Sequence, residues 1–448
     1  MQTWLRISLL LCTFGFFREM RPSEPFATEY LSGDWFNITS EQVNKEIFPF
    51  GTYAVLAQLV VVFLVTDMLR YKPIIVLSAC AGIVLFSIMI WTRTVTELQI
   101  GQLFYGTFMA SEVAYYTYIY AKVEKDRYQI VTGHTRAAFL CGKFLAGVLA
   151  QVLVSTGTMN YRELNYISLG SQVVSLFIAI ALPTANKSLY FYTDEQKIDK
   201  PNSDQDSIVE INLSTFTVVN NGQTAAVPKF SCRNAIRLLF EHTVSAYSKP
   251  VVVQWSIWWA LATSGQVQAI SYVQFLWKEI DPNHESIYNG AVEAIVTLLG
   301  AVGAMAAGLM SSSRHKKWHW WILTTCSLLM GAFLIISAVT NLVIVSYVMY
   351  ILFGMVYFFV ITIASATVAE NLSDDSFGLI FGINALAALV LQTLLTVFVV
   401  TDAGLGYGPR DQYIVYGSYF IALSGLYCIA VLVKYMFRCC HKAKYILE

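Results

Sequence analysis

Five ionisable residues stand inside stretches that are otherwise apolar: Glu24, Glu112, Arg136, Lys143 and Glu293. A charge in such a run is costly unless it faces a cavity or a partner, so each marks an ion pair or a solute path. Glu24 lies in Arg21-Pro22-Ser23-Glu24-Pro25. Its two flanking prolines remove backbone donors and interrupt the helix, which opens polar backbone to a cavity. Glu112 and Arg136, on successive helices, are the most plausible ion pair. Arg136 and Lys143 are two turns apart on one face, with Lys143 read as structural or as the rim of a cavity. Asn289 precedes Glu293 by one turn, so amide and acid form a polar stripe that suits a cavity and not lipid. Gln102, Tyr105 and Glu112 can share a face offering an amide, a phenol and a carboxylate. Acids beside ring faces suit cations and aromatic heterocycles.

The elements that must hold these groups follow from composition. The chain has 448 residues, 56% hydrophobic and 13% charged, with a mean hydropathy of +0.56. A soluble domain carries about 25% charged residues, so a soluble enzyme, a disordered chain and a disulfide-rich secreted domain are excluded. With 29 basic and 29 acidic residues, nucleic acid is not a natural partner. No catalytic motif, phosphate-binding loop or metal-spaced Cys/His cluster occurs, and no cofactor is implied. Apolar runs long enough to cross a bilayer recur throughout. Twelve are read: Trp4–Glu24, Thr52–Leu69, Pro73–Trp91, Leu98–Val123, Thr132–Thr156, Leu164–Pro183, Pro250–Trp277, Ile287–Met310, Trp318–Thr340, Leu342–Glu370, Phe377–Val400 and Gln412–Phe437. The long polar stretch 184–249 divides them six and six. This predicts an all-α membrane protein of the major facilitator type: half 1–183, a flexible cytoplasmic linker 184–249, half 250–437 and a cytoplasmic tail 438–448.

Lys and Arg gather in alternate loops, which places both termini in the cytosol. Asn37, in Asn-Ile-Thr, then lies outside and is the expected N-glycan site, whereas the sequons at Asn186, Asn212 and Asn371 lie inside. The cytosolic turn Thr66-Asp67-Met68-Leu69-Arg70-Tyr71-Lys72-Pro73 holds an acid and two bases; Asp67 and Arg70 are candidate gating charges, and a solvated loop is an equal reading. Cys439 and Cys440, past the last span beside Arg438, are a weak palmitoylation-type signal. Nothing couples to ATP, so a solute must move down its own gradient or by exchange with an ion such as a proton or an organic anion.

Several blocks in order, Met20-Arg21-Pro22-Ser23-Glu24-Pro25-Phe26, Asn44-Lys45-Glu46-Ile47-Phe48-Pro49, Ala114-Tyr115-Tyr116-Thr117-Tyr118, Trp255-Ser256-Ile257-Trp258-Trp259 and Ile287-Tyr288-Asn289-Gly290-Ala291-Val292-Glu293-Ala294, resemble the reduced folate carrier and thiamine transporter family of solute carriers. The resemblance covers nearly the whole chain apart from the linker. It implies a vitamin transporter at the plasma membrane. Folate carriers hold a dianionic tail with basic residues at positions matching Glu112, Gly354 and Gln392, none of which is basic here; Arg136 is shared by both branches. The thiamine branch resembles this chain at Glu112, Tyr115-Tyr116 and Gln392. Carried over residue by residue, its site is Glu24, Phe48, Gln102, Tyr105, Tyr288 and Asn289. The chain departs at Gln102, where that branch has an acid, at Gly51, where it has tryptophan, and at Lys143, where it has tyrosine. The expected solute is thiamine or a similar cationic or heterocyclic vitamin. A reduced folate, or a paralogue that carries neither, are the alternatives.

Overall fold

The computed structural model describes residues 3–36, 38–123, 128–184, 192–193, 229–230, 232–282, 287–309, 312–372 and 377–447. The chain is helical almost throughout. Its helices are α1 (Thr3–Glu19), α2 (Ala27–Leu31), α3 (Ser40–Gln42), α4 (Phe48–Met68), α5 (Lys72–Trp91), α6 (Val95–Ala110), α7 (Glu112–Lys122), α8 (Tyr128–Ser155) and α9 (Tyr161–Ala181). They continue with α10 (Cys232–Tyr247), α11 (Pro250–Ile280), α12 (Asn289–Leu309), α13 (Ser312–Val339), α14 (Val343–Glu370), α15 (Phe377–Leu395) and α16 (Pro409–Leu447). A two-residue antiparallel ladder pairs β1 (Tyr192–Thr193) with β2 (Lys229–Phe230).

Nine described segments are long and apolar enough to cross a membrane unaided. The other three predicted spans fall on α1, α6–α7 and α11, which carry polar groups into the bundle: Arg18 and Glu19, Gln102 and Glu112, and Gln266, Gln268 and Gln274. Lipid faces the other side of the bundle, where large apolar residues such as Phe177, Ile344 and Met305 are exposed. Three helix starts are closed by capping boxes: Thr39 with Gln42, Thr94 with Glu97, and Asn160 with Glu163. All three lie on the side that charge counting places outside.

Several boundaries differ from the sequence reading. The first span stops at Glu19, and Glu24 begins a separate 3-10 turn, Glu24–Phe26, because Pro22 and Pro25 cannot continue the helix. The second span starts earlier, through α3 and a π-helical turn, Val43–Ile47. The fourth is two helices, broken at Ser111, whose hydroxyl bonds back to the Thr107 carbonyl at 2.6 Å. Within the predicted linker, 232–247 form a helix; most of the rest lies outside the described residues. The tail is not a loop, since α16 runs to Leu447.

Early helices pack on each other, α1 on α8 and α9, α4 on α6, and α5 on α6 and α9; late ones do the same, α12 on α14, α13 on α14 and α16, and α11 on α14, α15 and α16. Two seams join the sets, α8 on α12 and α4 on α15. The α8–α12 seam is tight because glycine meets glycine: a Cβ on Gly147 would stand 2.7 Å from the Gly290 carbonyl oxygen. Gly147→Val should therefore lower the melting temperature of the purified protein, at an overpacking cost of about 1–3 kcal/mol. Gly170→Val, where a Cβ meets nothing within 4 Å, should not. Equal melting of the two variants would contradict this packing.

Candidate substrate site

The end of α1 sets the site. Arg18 Nη1 donates to Glu19 Oε1 at 3.0 Å and to Glu112 Oε2 at 3.3 Å, and Nη2 donates to the Phe108 carbonyl at 2.9 Å. Arg21 Nη2 donates to Glu19 Oε2 at 2.8 Å and Nη1 to Glu24 Oε1 at 2.5 Å. The result is one string, Glu112–Arg18–Glu19–Arg21–Glu24, with both guanidinium groups over the Phe108 ring at 4.3 and 5.1 Å. Its bases are hidden and its acidic ends are not: Arg18 is 1% and Arg21 6% exposed, against 28% for Glu112 and 40% for Glu24. The break at Ser111 puts Glu112 in the first turn of α7, where the helix dipole favours a carboxylate.

A second cluster faces this string. Tyr350 on α14 donates its hydroxyl to Glu293 Oε1 at 2.7 Å. Lys143 Nζ, from α8, stands 3.7 Å from Glu293 Oε2. Tyr347 donates to Asn289 Oδ1 at 3.2 Å. Glu24, Lys143 and Glu293 lie within electrostatic reach of one another, and Tyr105 within reach of Glu24 and Arg21. Phe48 packs on Phe275, with ring centroids 5.2 Å apart, and on Tyr272. Early and late helices thus meet in charge here, Glu24 of the string lying within electrostatic reach of Lys143 on α8 and Glu293 on α12.

On the capping-box side, hydrogen bonds and ion pairs tie early helices to late ones. The Gln274 amide donates to the Glu24 carbonyl and accepts from the Thr28 N–H, each at 3.0 Å. Lys278 donates to Ser32 at 2.7 Å and Glu29 at 3.1 Å, and Lys45 to Asp402 at 2.8 Å. Gln151 donates to the Ile287 carbonyl at 2.9 Å and accepts from the Ala291 N–H at 3.1 Å. Toward the other side, Gly133 and Arg136 of α8 are exposed.

The structure brings together Glu24, Tyr105, Glu293 and Lys143, and places Glu112 at the far end of the string. The expected Glu112–Arg136 pair does not form. Arg18 reaches Glu112 first, because α1 runs between them, and Arg136 has no ion pair among the described residues, its nearest influences being Tyr116 and Tyr357. Gln102 and Tyr105 lie on α6, and the break at Ser111 puts Glu112 on the next helix, α7. Gln102 instead leans on α4: a Cβ on Gly51 would run into its Oε1. Asn289 is buried, while Tyr288 is 47% exposed just before α12. Arg70 and Tyr71 both adopt positive φ, 60° and 65°; the Asp67 side chain and Asn37 lie outside the described residues. Sequence reasoning missed Arg18, Glu19, Arg21, Tyr350 and Gln274 as site residues. The signal for the first three was present as charges abutting Pro22, but it reads equally as the flank of a span. No group of His, Cys, Asp and Glu among the described residues could hold a metal.

The family profile described as reduced folate carrier matches residues 2–415. The chain belongs to the reduced folate carrier family. It is similar to human thiamine transporter 2, 37% identical over 95% of this chain and 89% of that one. It is also similar to the human reduced folate transporter, 33% identical over 98% of this chain and 74% of that one. Among solved structures, the POT family transporter PepTSo superposes with a TM-score of 0.68 at 10% identity, covering 97% of this chain and 99% of that one. The fold of this family member is thus that of the major facilitator transporters, membrane proteins and not enzymes.

The charge string is expected to be structural as well as functional. Arg18→Met leaves Glu19 and Glu112 short of a counter-charge and should cost about 3–5 kcal/mol, read as lost surface expression and a lowered melting temperature. Adding Glu112→Gln should recover part of that loss. A single variant as stable as wild type would contradict the string.

Proposed function

We propose that the protein carries thiamine or a closely similar cationic heterocyclic vitamin across the plasma membrane by alternating access, its halves 1–183 and 250–437 rocking about the site, with both termini in the cytosol. The observation that carries this is the polarity of the buried string: its guanidinium groups are hidden, and the carboxylates of Glu24 and Glu112 are what the cavity meets. A permanent cation gains from such a wall, and its flat rings from Phe48 and Tyr105. A folate dianion meets the opposite. At the positions where the folate branch carries bases, Glu112 is bound to Arg18, and Gly354 abuts Val296 so closely that a Cβ would lie 2.8 Å from its Cγ1. Arginine does not fit there without moving α12. A second reading, reduced folate, draws on the exposed Arg136 and on the folate-transporter relative. Exchange with a proton or an organic anion is compatible with either.

Uptake of labelled thiamine into cells without their own carrier should be saturable, competed by unlabelled thiamine and not by reduced folate. Gln102→Glu adds a carboxylate beside the Gly51 notch without adding bulk. A net gain of about 1 kcal/mol would tighten apparent thiamine affinity about fivefold. Saturable folate uptake by wild type, or unchanged thiamine affinity in the variant, would count against this reading. Asn37 should carry the N-glycan: Asn37→Gln should abolish the shift in gel mobility produced by glycosidase, and a shift that survives would overturn the orientation.

A further inference from the structure

Lys143 and Glu293 are the place where the two sets of helices meet in charge at the level of the site. Glu293 is fixed on its own side by the Tyr350 hydroxyl at 2.7 Å, and only its second oxygen faces α8. The ammonium stands 3.7 Å away, beyond hydrogen-bonding distance, and Lys143 is 34% exposed against 14% for Glu293. A half-wet ammonium on a flexible stem, held by charge and not by a hydrogen bond, is displaceable. Outward of this pair the seam is closed by Gly147 on Gly290 and by Gln151 on Ile287 and Ala291. Toward the other side Gly133 and Arg136 are exposed. Closing the outer seam therefore buries Glu293, and a buried carboxylate without a counter-charge is strongly unfavourable.

We infer that Lys143 is a tethered stand-in for the cargo: its ammonium neutralises Glu293 when the carrier is empty, and the cation of the solute takes that place when it is loaded. The inference rests on the cationic-vitamin reading. Its consequence is kinetic. A carrier that can close only with Glu293 neutralised must exchange one cation for another. One that brings its own cation can close empty and return, and so carry out net transport. Lys143 makes this protein a net transporter and not an obligatory exchanger.

The test compares two flux modes in proteoliposomes holding the purified full-length carrier. With Lys143→Gln, the ratio of net thiamine uptake into empty vesicles to thiamine–thiamine exchange into preloaded vesicles should fall about tenfold or more. Lys143→Arg should keep both modes. Equal loss of both, or full retention of net uptake, overturns the inference. A second readout needs no solute. Gly133→Cys, in a chain otherwise free of cysteine, has open space around it, and its maleimide labelling rate is the readout of opening on that side of the α8–α12 seam. Lys143→Gln should slow that labelling in the empty carrier by shifting it to the outward-open state, and Lys143→Gln with Glu293→Gln should restore it. An unchanged rate overturns the inference whatever the uptake shows. Absence of thiamine flux in wild type in both modes, with the labelling shift intact, would instead sink the choice of vitamin and leave Lys143 as a stand-in for another cation.

Discussion

Everything in the site hangs on the cost of burying charge. Arg18, Glu19 and Arg21 are among the least exposed charged residues described, and in a low-dielectric bundle such groups persist only where each is paired. The pairing dictates geometry. Arg18 spans α1 and α7, Arg21 reaches past Pro22 to Glu24, and the chain must break at Pro22 and at Ser111 for these side chains to meet. What faces the cavity is then not a free choice. With the guanidinium groups committed inward, the carboxylates at the ends of the string, Glu112 and Glu24, are its more exposed members.

The lipid side and the cavity side place opposite demands on the same helices. Nine segments qualify as spans by length and apolarity; α1, α6 and α7 are shorter helices, ended at Glu19 and broken at Ser111, and α11 carries Gln254, Gln266, Gln268 and Gln274 along its length. Two glycines on neighbouring helices, Gly51 of α4 and Gly354 of α14, shape the packing around these elements. Gly51 lets Gln102 lie back against α4. Gly354 lets α12 and α14 approach and leaves no volume for a base.

Much of this was legible in the sequence. Hydropathy gave the membrane architecture because about 20 apolar residues are needed to cross a bilayer and little else produces them. The break before Glu24 was legible because Pro22 and Pro25 interrupt the helix, and the polar stripe of α12 because Asn289 stands one turn before Glu293. The partners of the charges were not. Arg136 and Glu112 are neighbours in helix order, but pairing is decided by which side chain arrives first in three dimensions, and Arg18 does. Ser111 carries no strong break signal, so the split of the fourth span into α6 and α7 could not be read. The helix α10 was hidden because its apolar cluster, Ile236, Leu238, Leu239 and Phe240, is too short to read as a span and closes a long polar stretch.

The central claim is that the cavity selects charge, by presenting carboxylates whose counter-ions are buried. The most direct measurement is equilibrium binding to the purified carrier of thiamine and of 3-deazathiamine, the isostere whose neutral thiophene replaces the thiazolium ring. Shape and ring faces are the same in the two, so the difference in affinity isolates the cation. The account predicts that thiamine binds more tightly by about tenfold or more, the equivalent of about 1.4 kcal/mol, and that Glu24→Gln narrows the gap. Equal affinity for the two ligands, or tighter binding of the neutral one, would contradict it.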